Sequence, residues 1–316
     1  MKLCVPQRLT MTAAFGLLLI LGVDPAGAQT RQAIKIAVLP SDSVSLAYYA
    51  IDRDSFKRAG IDAEIIPLQS GPAIAAAVAS GAADFGASNV IALAVAHEKG
   101  VSFTAIAPAG VYTSRAVTVG LAVPKSSTIK SAKDLEGRIV AVDSLKTLGT
   151  IATSAWMDRN GGDSKTLKYV ELPFGQMGAA LAAGRVDAAF LPEPVLSNVL
   201  NGPGRLLAAP LDAVAPKLQL GAWFSSTDYA KRHPDVIRKF VDVMTENAAW
   251  ADANLGATAA IYEKYTKIRI TEQTPRMLQS GRVEFSEIQP LIDAAAKYGV
   301  LTRSFSAAEL FETATR

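Results

Sequence analysis

The chain has 316 residues, with 32 lysines and arginines, 29 aspartates and glutamates, two histidines and one cysteine. Its formal net charge of +3 is too small to favour nucleic-acid binding, and no basic cluster with interleaved aromatic residues is present in the sequence. A single cysteine excludes an intrachain disulfide, and no histidine or cysteine pair has metal-ligand spacing. We therefore expect neither a metal nor another cofactor.

The first 28 residues have the pattern of a signal peptide. Lys2 and Arg8 give a basic start, residues 9–23 are mostly apolar, and an A-x-A signal-peptidase pattern ends at Ala28. A transmembrane anchor is the alternative, but the apolar run is shorter than the ~20 residues that span a bilayer. Cys4 lies upstream of that run and is removed with the signal. The sequence predicts export to the periplasm.

The chain after the signal alternates between strand-like and helix-like segments. The β-branched run that begins at Ile34 ends in a turn of proline and serine, and the helical spacing that follows stops at Gly60. The predicted elements are strands over 34–39, 63–68 and 84–88 and helices over 46–59 and 73–80. Strands that alternate with helices in this way predict parallel βαβ units.

The same pattern recurs about one hundred residues later. With a shift of 103 residues, the strand at 35–41 falls on residues 138–144. The GAADF run that contains Asp84 then falls on the GRVDA run that contains Asp187. This internal repeat predicts two similar α/β lobes.

Two β-rich runs, 117–123 and 218–225, flank the second repeat, and we interpret them as the segments that cross between lobes. The expected division is a signal peptide over 1–28, a first lobe over 29–116 and 225–316, and a second lobe over 117–224. The C-terminal part is helical. Its apolar stripe, which predicts packing against the first lobe, consists of Val236, Phe240, Val243, Met244 and Asn247.

Open parallel sheets bind ligands beyond the carboxyl ends of their strands, and this rule selects the loops that follow the predicted strands. Polar and aromatic residues in or near these loops are the candidate ligand-binding residues: Ser41, Asp42, Ser43, Ser70, Ser88, Asn89, Tyr112, Arg115, Ser144, Thr147, Gly149, Thr150, Phe174, Glu193 and Trp223. Several of these loops lead into helices, whose first N–H groups lack internal partners and favour anions or polar acceptors.

Many of these candidates also have an ordinary structural interpretation. Thr147 and Thr150 fit a plain helix N-cap. Asp42 and Glu193 could equally cap a helix or face solvent, and Arg115 could form a surface or inter-lobe salt bridge instead of meeting an anion. The sequence leaves these alternatives open.

Four longer runs resemble bacterial ABC-transporter solute-binding proteins of the nitrate, sulfonate and taurine type, a group that also contains pyrimidine-precursor-binding relatives. They are SGAADFGASN from Ser80, VPKSSTIKSAKDLEGRIVAV from Val123, GRVDAAFLPEPV from Gly184 and HPDVIRKFV from His233. The resemblance covers essentially the whole chain after the signal. It implies an α/β periplasmic-binding-protein fold of the second type, with two lobes, two crossover segments and a ligand cleft between them.

The resemblance also implies a function. A protein of this type captures a small solute, delivers it to an ABC permease driven by an ATPase, and is not an enzyme; we expect it to act as a monomer. The positions that match the family's binding loops are Ser41, Ser88, Asn89, Ser144, Thr147, Thr150 and Glu193. We expect an anionic or an aromatic or heterocyclic solute, such as a sulfonate, taurine, nitrate or a pyrimidine-type compound. No set of basic residues forms a clear sulfonate- or nitrate-binding pattern.

Two other functions stay open at this point. The first is a sensory protein that presents its ligand to a membrane kinase or chemoreceptor, which differs from a transport protein only in its partner surface. The second is an enzyme on the same fold, as in the related pyrimidine synthases. Their cysteine-rich motif is absent, and no nucleophile-elbow, Walker or dinucleotide-binding pattern occurs.

Overall fold

The computed structural model describes residues 1–3, 31–271 and 273–311. The predicted signal peptide, apart from residues 1–3, therefore lies outside the described residues. Within the described ranges, no helix has the length and apolar character needed to cross a membrane.

The strands, numbered in chain order, are β1 (Gln32–Val38), β2 (Ile61–Pro67), β3 (Phe85–Asn89), β4 (Phe103–Pro108), β5 (Val111–Thr113), β6 (Val119–Pro124), β7 (Ile139–Val142), β8 (Lys168–Glu171), β9 (Ala188–Pro192), β10 (Gly204–Ala208), β11 (Lys217–Gln219) and β12 (Gly221–Ser226). The helices are α1 (Leu46–Asp52), α2 (Ser55–Arg58), α3 (Gly71–Ala79), α4 (Val90–Glu98), α5 (Leu148–Arg159), α6 (Phe174–Ala182), α7 (Val195–Asn201), α8 (Thr227–Arg232), α9 (Pro234–Ala253), α10 (Leu255–Thr266) and α11 (Phe285–Lys297). The single helix predicted over 46–59 is interrupted at Asp54, which has a left-handed φ of 55°.

Two five-stranded sheets form the two lobes. The first has the order β2-β1-β3-β12-β4, and the second has the order β8-β7-β9-β6-β10. In each sheet the first three strands are parallel, and the fourth, β12 or β6, is antiparallel to both of its neighbours. The two sheets therefore share one topology, and the predicted pair of similar α/β lobes is confirmed.

The internal repeat extends to individual residues. The backbone N–H of Lys35 donates to Asp84 Oδ2 at 2.8 Å, and that of Ile139 donates to Asp187 Oδ2 at 2.8 Å. Each aspartate thus bonds the backbone of the equivalent strand of its own lobe, β1 at Lys35 and β7 at Ile139. Helices α3 and α6, and strands β3 and β9, are also related by 103 residues, the shift read from the sequence.

The crossover segments differ from those predicted. Val119–Pro124 is a strand of the second sheet and Gly221–Ser226 is a strand of the first. The segments that pass between lobes lie just before them, and there β5 pairs antiparallel with β11 as a two-stranded ribbon. The predicted second lobe, 117–224, ended inside β12; the hydrogen bonds of β12 to β3 and β4 place residues 221–224 in the first sheet.

The two sheets are covered on both faces. In the second sheet, Ala122, Ala141 and Ala189 face one apolar cluster, whereas their chain neighbours Leu121, Val140 and Ala188 face another. This follows because successive strand residues point to opposite faces. Since the contacts from Arg31 onward form one unit, and the core of the first lobe continues into residues of the second, the lobes meet directly.

Helix α9 closes the first lobe. Phe240, Val243, Met244 and Asn247 of the predicted stripe are buried, and the Phe240 ring stacks on Phe85 with a centroid distance of 4.1 Å. The helix therefore packs on the first sheet as its periodicity predicted.

Candidate ligand-binding site

The ends of strands from both sheets enclose a cavity of about 60 Å³. Its lining residues, which come from both lobes, are Leu39, Ser41, Ser43, Val44, Ser88, Asn89, Val119, Asp143, Leu148, Phe174, Phe190, Pro192, Leu220, Gly221 and Met277. Leu39 follows β1 and Asn89 ends β3, while Asp143 follows β7 and Pro192 ends β9. The carboxyl ends of the parallel strands of the two lobes thus face one another across the cavity, where open α/β sheets bind their ligands.

The first lobe contributes hydroxyl and amide groups. Ser41 Oγ and Ser43 Oγ lie 2.9 Å apart and share a hydrogen bond. Asn89 Oδ1 accepts from the backbone N–H of Ala92 at 2.9 Å and so caps helix α4. Ser88 is 1% exposed, and its hydroxyl has no hydrogen-bond partner in the structure. A buried hydroxyl without a partner costs free energy, which a polar ligand atom at this place would recover.

The backbone beside Ser88 comes close because of a glycine. A Cβ atom at Gly71, the first residue of α3, would lie only 2.7 Å from Ser88 Oγ. Any larger residue at position 71 would displace the hydroxyl. This close approach brings the N-terminus of α3 next to the cavity, although Gly71 itself does not line it.

The second lobe contributes a carboxyl group and an apolar wall. Asp143 lines the cavity, and burial raises the pKa of its carboxyl from 3.8 to about 6, opposed by hydrogen bonds from its own loop and from Ser144. Leu148, Phe174 and Phe190 complete this side. The site therefore combines one acid, several hydroxyls and a broad apolar surface.

Five of the predicted ligand residues line the cavity: Ser41, Ser43, Ser88, Asn89 and Phe174. The predicted loop 144–150 meets the cavity through residues that we did not select, Asp143 and Leu148. The hydroxyl of Thr150 accepts from the N–H of Thr147 at 3.2 Å and donates to the carbonyl of Thr147 at 2.9 Å. These contacts form the cap of helix α5.

The other selected residues of that loop are also engaged within it. Thr147 Oγ1 donates to the carbonyl of Ser144 at 2.9 Å, and a Cβ on Gly149 would press against Phe190 and Val142 at 3.0 Å. The structure thus places Ser144, Thr147, Gly149 and Thr150 behind the cavity wall, and it favours the N-cap interpretation because each hydroxyl of the cap already has a partner.

Asp42 is buried against Arg276 and not at the cavity. Asp42 Oδ1 accepts from Arg276 Nη2 at 2.7 Å, and Oδ2 accepts from the N–H of Met277 at 2.7 Å. Arg276 also donates to the hydroxyl of Tyr49 at 2.7 Å. The Asp42 side chain is 1% exposed, and its negative charge is paired with Arg276 inside the first lobe. This ion pair ties the C-terminal segment that carries Met277 to the strand-end loop.

Glu193 lies beside this pair across the lobe boundary. Its carboxylate accepts from the N–H and the hydroxyl of Ser197, at 3.1 and 2.9 Å, and so caps helix α7. Burial, with a smaller effect from Asp42, raises the pKa of Glu193 from 4.5 to about 7. The backbone N–H of Asp42 donates to the carbonyl of Glu193 at 3.3 Å, a direct contact between the lobes.

The remaining predicted ligand residues lie elsewhere. Ser70 caps α3 by accepting from Ala73 N, and Arg115 is exposed. Tyr112 is buried in the β5–β11 ribbon, where its hydroxyl donates to Asp212 Oδ1 at 2.7 Å. Trp223 is fully buried in the core of the first lobe against Phe240. Neither aromatic side chain lines the cavity.

Among the cavity residues that we did not predict, some carried a signal. Asp143 follows β7 and Pro192 ends β9, so the strand-end rule selects both once the strand bounds of the structure are known. Met277 carried none, because it reaches the cavity through the Asp42–Arg276 pair, a contact between residues 234 positions apart. In the described ranges, no group of three or more His, Cys, Asp or Glu side chains could hold a metal ion.

Two α/β lobes joined by a two-stranded ribbon, with facing strand ends, are the periplasmic-binding-protein fold. The family model described as NMT1/THI5 like matches residues 43–254, more than half of the chain. The chain therefore belongs to the NMT1/THI5-like family.

Relatives of known structure share this fold. The alkanesulfonate-binding protein SsuA of Xanthomonas axonopodis pv. citri, bound to MOPS, is 18% identical, with a TM-score of 0.73 over 88% of this chain and 97% of its own. The periplasmic nitrate-binding protein NrtA of Synechocystis PCC 6803 is 13% identical, with a TM-score of 0.74 over 90% of this chain and 85% of its own. A Brucella abortus protein described only as a binding protein is 22% identical over 71% of this chain and 68% of its own length.

Proposed function

We propose that this chain is an extracytoplasmic solute-binding protein of an ABC importer, which captures a small organic solute between its lobes. The observation that carries the proposal is the cavity between the two sets of strand ends, lined by residues of both lobes. The family and the sulfonate- and nitrate-binding relatives of the same fold support it.

Capture requires the lobes to separate. The cavity volume of about 60 Å³ is well below the roughly 300–1,000 Å³ of pockets for drug-sized ligands, so all but the smallest solutes need an open state to enter. The β5–β11 ribbon is the natural hinge, since both connections between the lobes run through it. A solute drives closure only through its greater affinity for the closed state.

The closed state has a direct lobe contact that an open state would lose. The N–H of Asp42 reaches the Glu193 carbonyl, and Asp42 is held in place by Arg276 and Met277. Contacts from Ser41, Ser43, Ser88 and Asn89 on one side, and from Asp143 and Phe174 on the other, would add to this one when a solute is bound. Solute contacts made from both lobes at once would therefore shift the equilibrium towards the closed state.

The partners that we propose are a small-molecule solute and, at the membrane, an ABC permease with its ATPase. The signal-peptide pattern over residues 1–28 supports a periplasmic location, and the periplasmic relatives agree with it. We propose that the protein acts as a monomer and without catalysis. Asp143 is the one titratable residue among the described residues that line the cavity, so the described lining offers no acid–base pair.

The proposal is tested with residues 29–316 and the permease reconstituted with its ATPase in vesicles. A thermal-shift screen against sulfonates, nitrate, aromatic acids, pyrimidines and amines identifies a solute, because a ligand of the native state alone raises the melting temperature. The protein together with that solute should stimulate ATP hydrolysis and uptake. Phe174→Ala, at the cavity, should weaken both, whereas Phe285→Ala, at an exposed position, should not. Tight binding without any stimulation would contradict transport.

A further inference from the structure

Acidic groups mark the end of every parallel strand in the second sheet. Asp143 follows β7, Glu171 is the last residue of β8, and Glu193 follows β9. Asp143 lines the cavity, and Glu171 lies close enough to bond the N–H of Leu145 in the loop after Asp143, at 2.6 Å. Of these three acids only Asp143 lines the cavity, so the second lobe presents one carboxyl group, that of Asp143, to the ligand position.

No positive side chain balances this charge at the cavity. Of the described residues that line it, none is Lys, Arg or His. The basic residue adjacent in sequence to the lining residue Met277 is Arg276, and its guanidinium is bound to the buried carboxylate of Asp42 at 2.7 Å. Arg115, which the sequence offered as an anion contact, is on the exposed surface.

Helix N-termini would be the remaining source of positive potential, but four of the five that begin beside the cavity are already capped, that of α7 by Glu193. Ser70 accepts from the first turn of α3, Asn89 from that of α4, and Thr150 from the N-cap of α5. Only α6, which begins at Phe174, has no side-chain cap. One helix end carries about half an elementary charge, which does not offset a full carboxylate.

The rest of the lining favours an apolar body with hydrogen-bonding groups at its rim. Leu148, Phe174, Phe190 and Met277 give the cavity its apolar surface. Ser88, 1% exposed and without a partner, presents a hydroxyl that can accept from a ligand donor. A nitrate or sulfonate group would place its negative oxygens beside Asp143 with no cation to pair them.

Resting on the proposed function, we propose that the solute carries no net negative charge and presents an N–H donor to the carboxylate of Asp143. Its apolar, planar or aliphatic body packs on the wall that contains Phe174 and Phe190. Amines, amidines, amides and amino-substituted heterocycles have this chemistry, whereas sulfonates, carboxylates and nitrate do not. Asp143 is thus the residue that determines ligand charge.

The test uses two sets of probes that match in size and differ in charge. One set is benzamidine, benzamide and benzoate; the smaller set is acetamidine, acetamide and acetate. Affinities are measured by NMR titration for the unaltered protein, for Asp143→Asn and for Asp62→Asn, a matched change at an exposed position outside the cavity. Asparagine keeps the shape of the side chain and removes its charge, and melting curves verify that each variant folds.

In the unaltered protein the amidine or the amide should bind about tenfold to a hundredfold more tightly than the carboxylate of the same set, the range of one charge-assisted hydrogen bond. Asp143→Asn should remove this preference, and Asp62→Asn should keep it. A carboxylate that binds as tightly as its amidine, a preference that survives Asp143→Asn, or no binding by either set would overturn the inference.

This result is separable from the proposed function. A sulfonate or nitrate that bound tightly and stimulated the permease would refute the ligand class and leave solute transport standing. Donor probes that bound through Asp143, together with an identified solute that never stimulated the permease, would support the ligand class and refute solute transport.

Discussion

The backbone N–H of Asp42 in the first lobe donates a hydrogen bond to the carbonyl of Glu193 in the second, at 3.3 Å. Both side chains point away from this bond to partners of their own, Arg276 for Asp42 and Ser197 for Glu193. The sequence identified both acids as candidate ligand residues. In the structure their carboxylates organise the two loops that meet when the lobes are together.

Glu193 should make stability depend on pH. Its pKa is about 7 in the folded protein and near 4.5 when exposed, so the folded state binds the proton more tightly. The contribution of Glu193 to the free energy of unfolding is therefore greatest below pH 4.5. It falls as the pH rises from 4.5 to 7, by at most about 3 kcal/mol. Glu193→Gln should flatten this fall in urea unfolding curves.

Asp143 contributes in the same direction, because its pKa is raised from 3.8 to about 6. The free energy of unfolding of the double variant Glu193→Gln with Asp143→Asn should depend less on pH than that of either single variant. Glu64→Gln, at an exposed position, is the control and should leave the slope unchanged. A stability that rose between pH 4.5 and 7 in the unaltered protein, and lost that rise in Glu193→Gln, would contradict the assignment.

The Asp42–Arg276 pair should be costly to break from one side. Arg276→Met leaves a buried carboxylate without its counter-charge, and we expect a loss of about 3–5 kcal/mol in the free energy of unfolding. Adding Asp42→Asn should recover part of that loss, since the uncompensated charge is then gone. Arg282→Met removes an exposed ion pair and should change stability by less than about 0.5 kcal/mol. A loss in Arg276→Met of less than about 0.5 kcal/mol, as small as that expected for Arg282→Met, would show that the buried pair is dispensable.

The internal repeat makes a paired prediction. Asp84 and Asp187 accept the same kind of backbone hydrogen bond from equivalent strands, so Asp84→Ala and Asp187→Ala should each destabilise the protein by about 1–3 kcal/mol. Asp62→Ala, on an exposed side of β2, should have little effect. Chemical denaturation measures all three; a large loss in one repeat with none in the other would argue against equivalent roles.

Tyr112 should act on the hinge and not on the cavity. Tyr112→Phe removes the hydrogen bond to Asp212 within the segments that join the lobes, and we expect a loss of about 1–3 kcal/mol. Because the ring does not line the cavity, the ranking of solutes should stay the same while closure changes. Titration of the variant against the solutes of the unaltered protein checks this, and a changed ranking would place Tyr112 in the site.

Most of the fold could be predicted from the sequence because it depends on local patterns. Alternating strands and helices, the glycine stops at Gly81 and Gly184, and the spacing of Asp84 and Asp187 together predict two equivalent lobes. The crossover strands were harder. Residues 119–124 and 221–226 are apolar β-runs in either role, and only their hydrogen-bond partners show that they complete the two sheets.

The site could be predicted only in part. Ser41, Ser43, Ser88 and Asn89 sit where strands end, which the strand-end rule selects. The rule could not separate hydroxyls that face the cavity from those, such as Thr150, that close their own helix cap, because both follow a strand and precede a helix. Long-range packing placed Met277 at the cavity, and such contacts leave no local pattern.

The central claim, that the two lobes close on a solute, is tested most directly by a distance between them. Since Cys4 lies in the predicted signal peptide, residues 29–316 contain no cysteine, and spin labels at Lys130→Cys in the second lobe and Lys231→Cys in the first would be unique. Double electron–electron resonance should show two distance populations without solute, one with the lobes apart and one with the lobes together. At saturating solute only the population with the lobes together should remain. A distance distribution that saturating solute leaves unchanged would contradict the account.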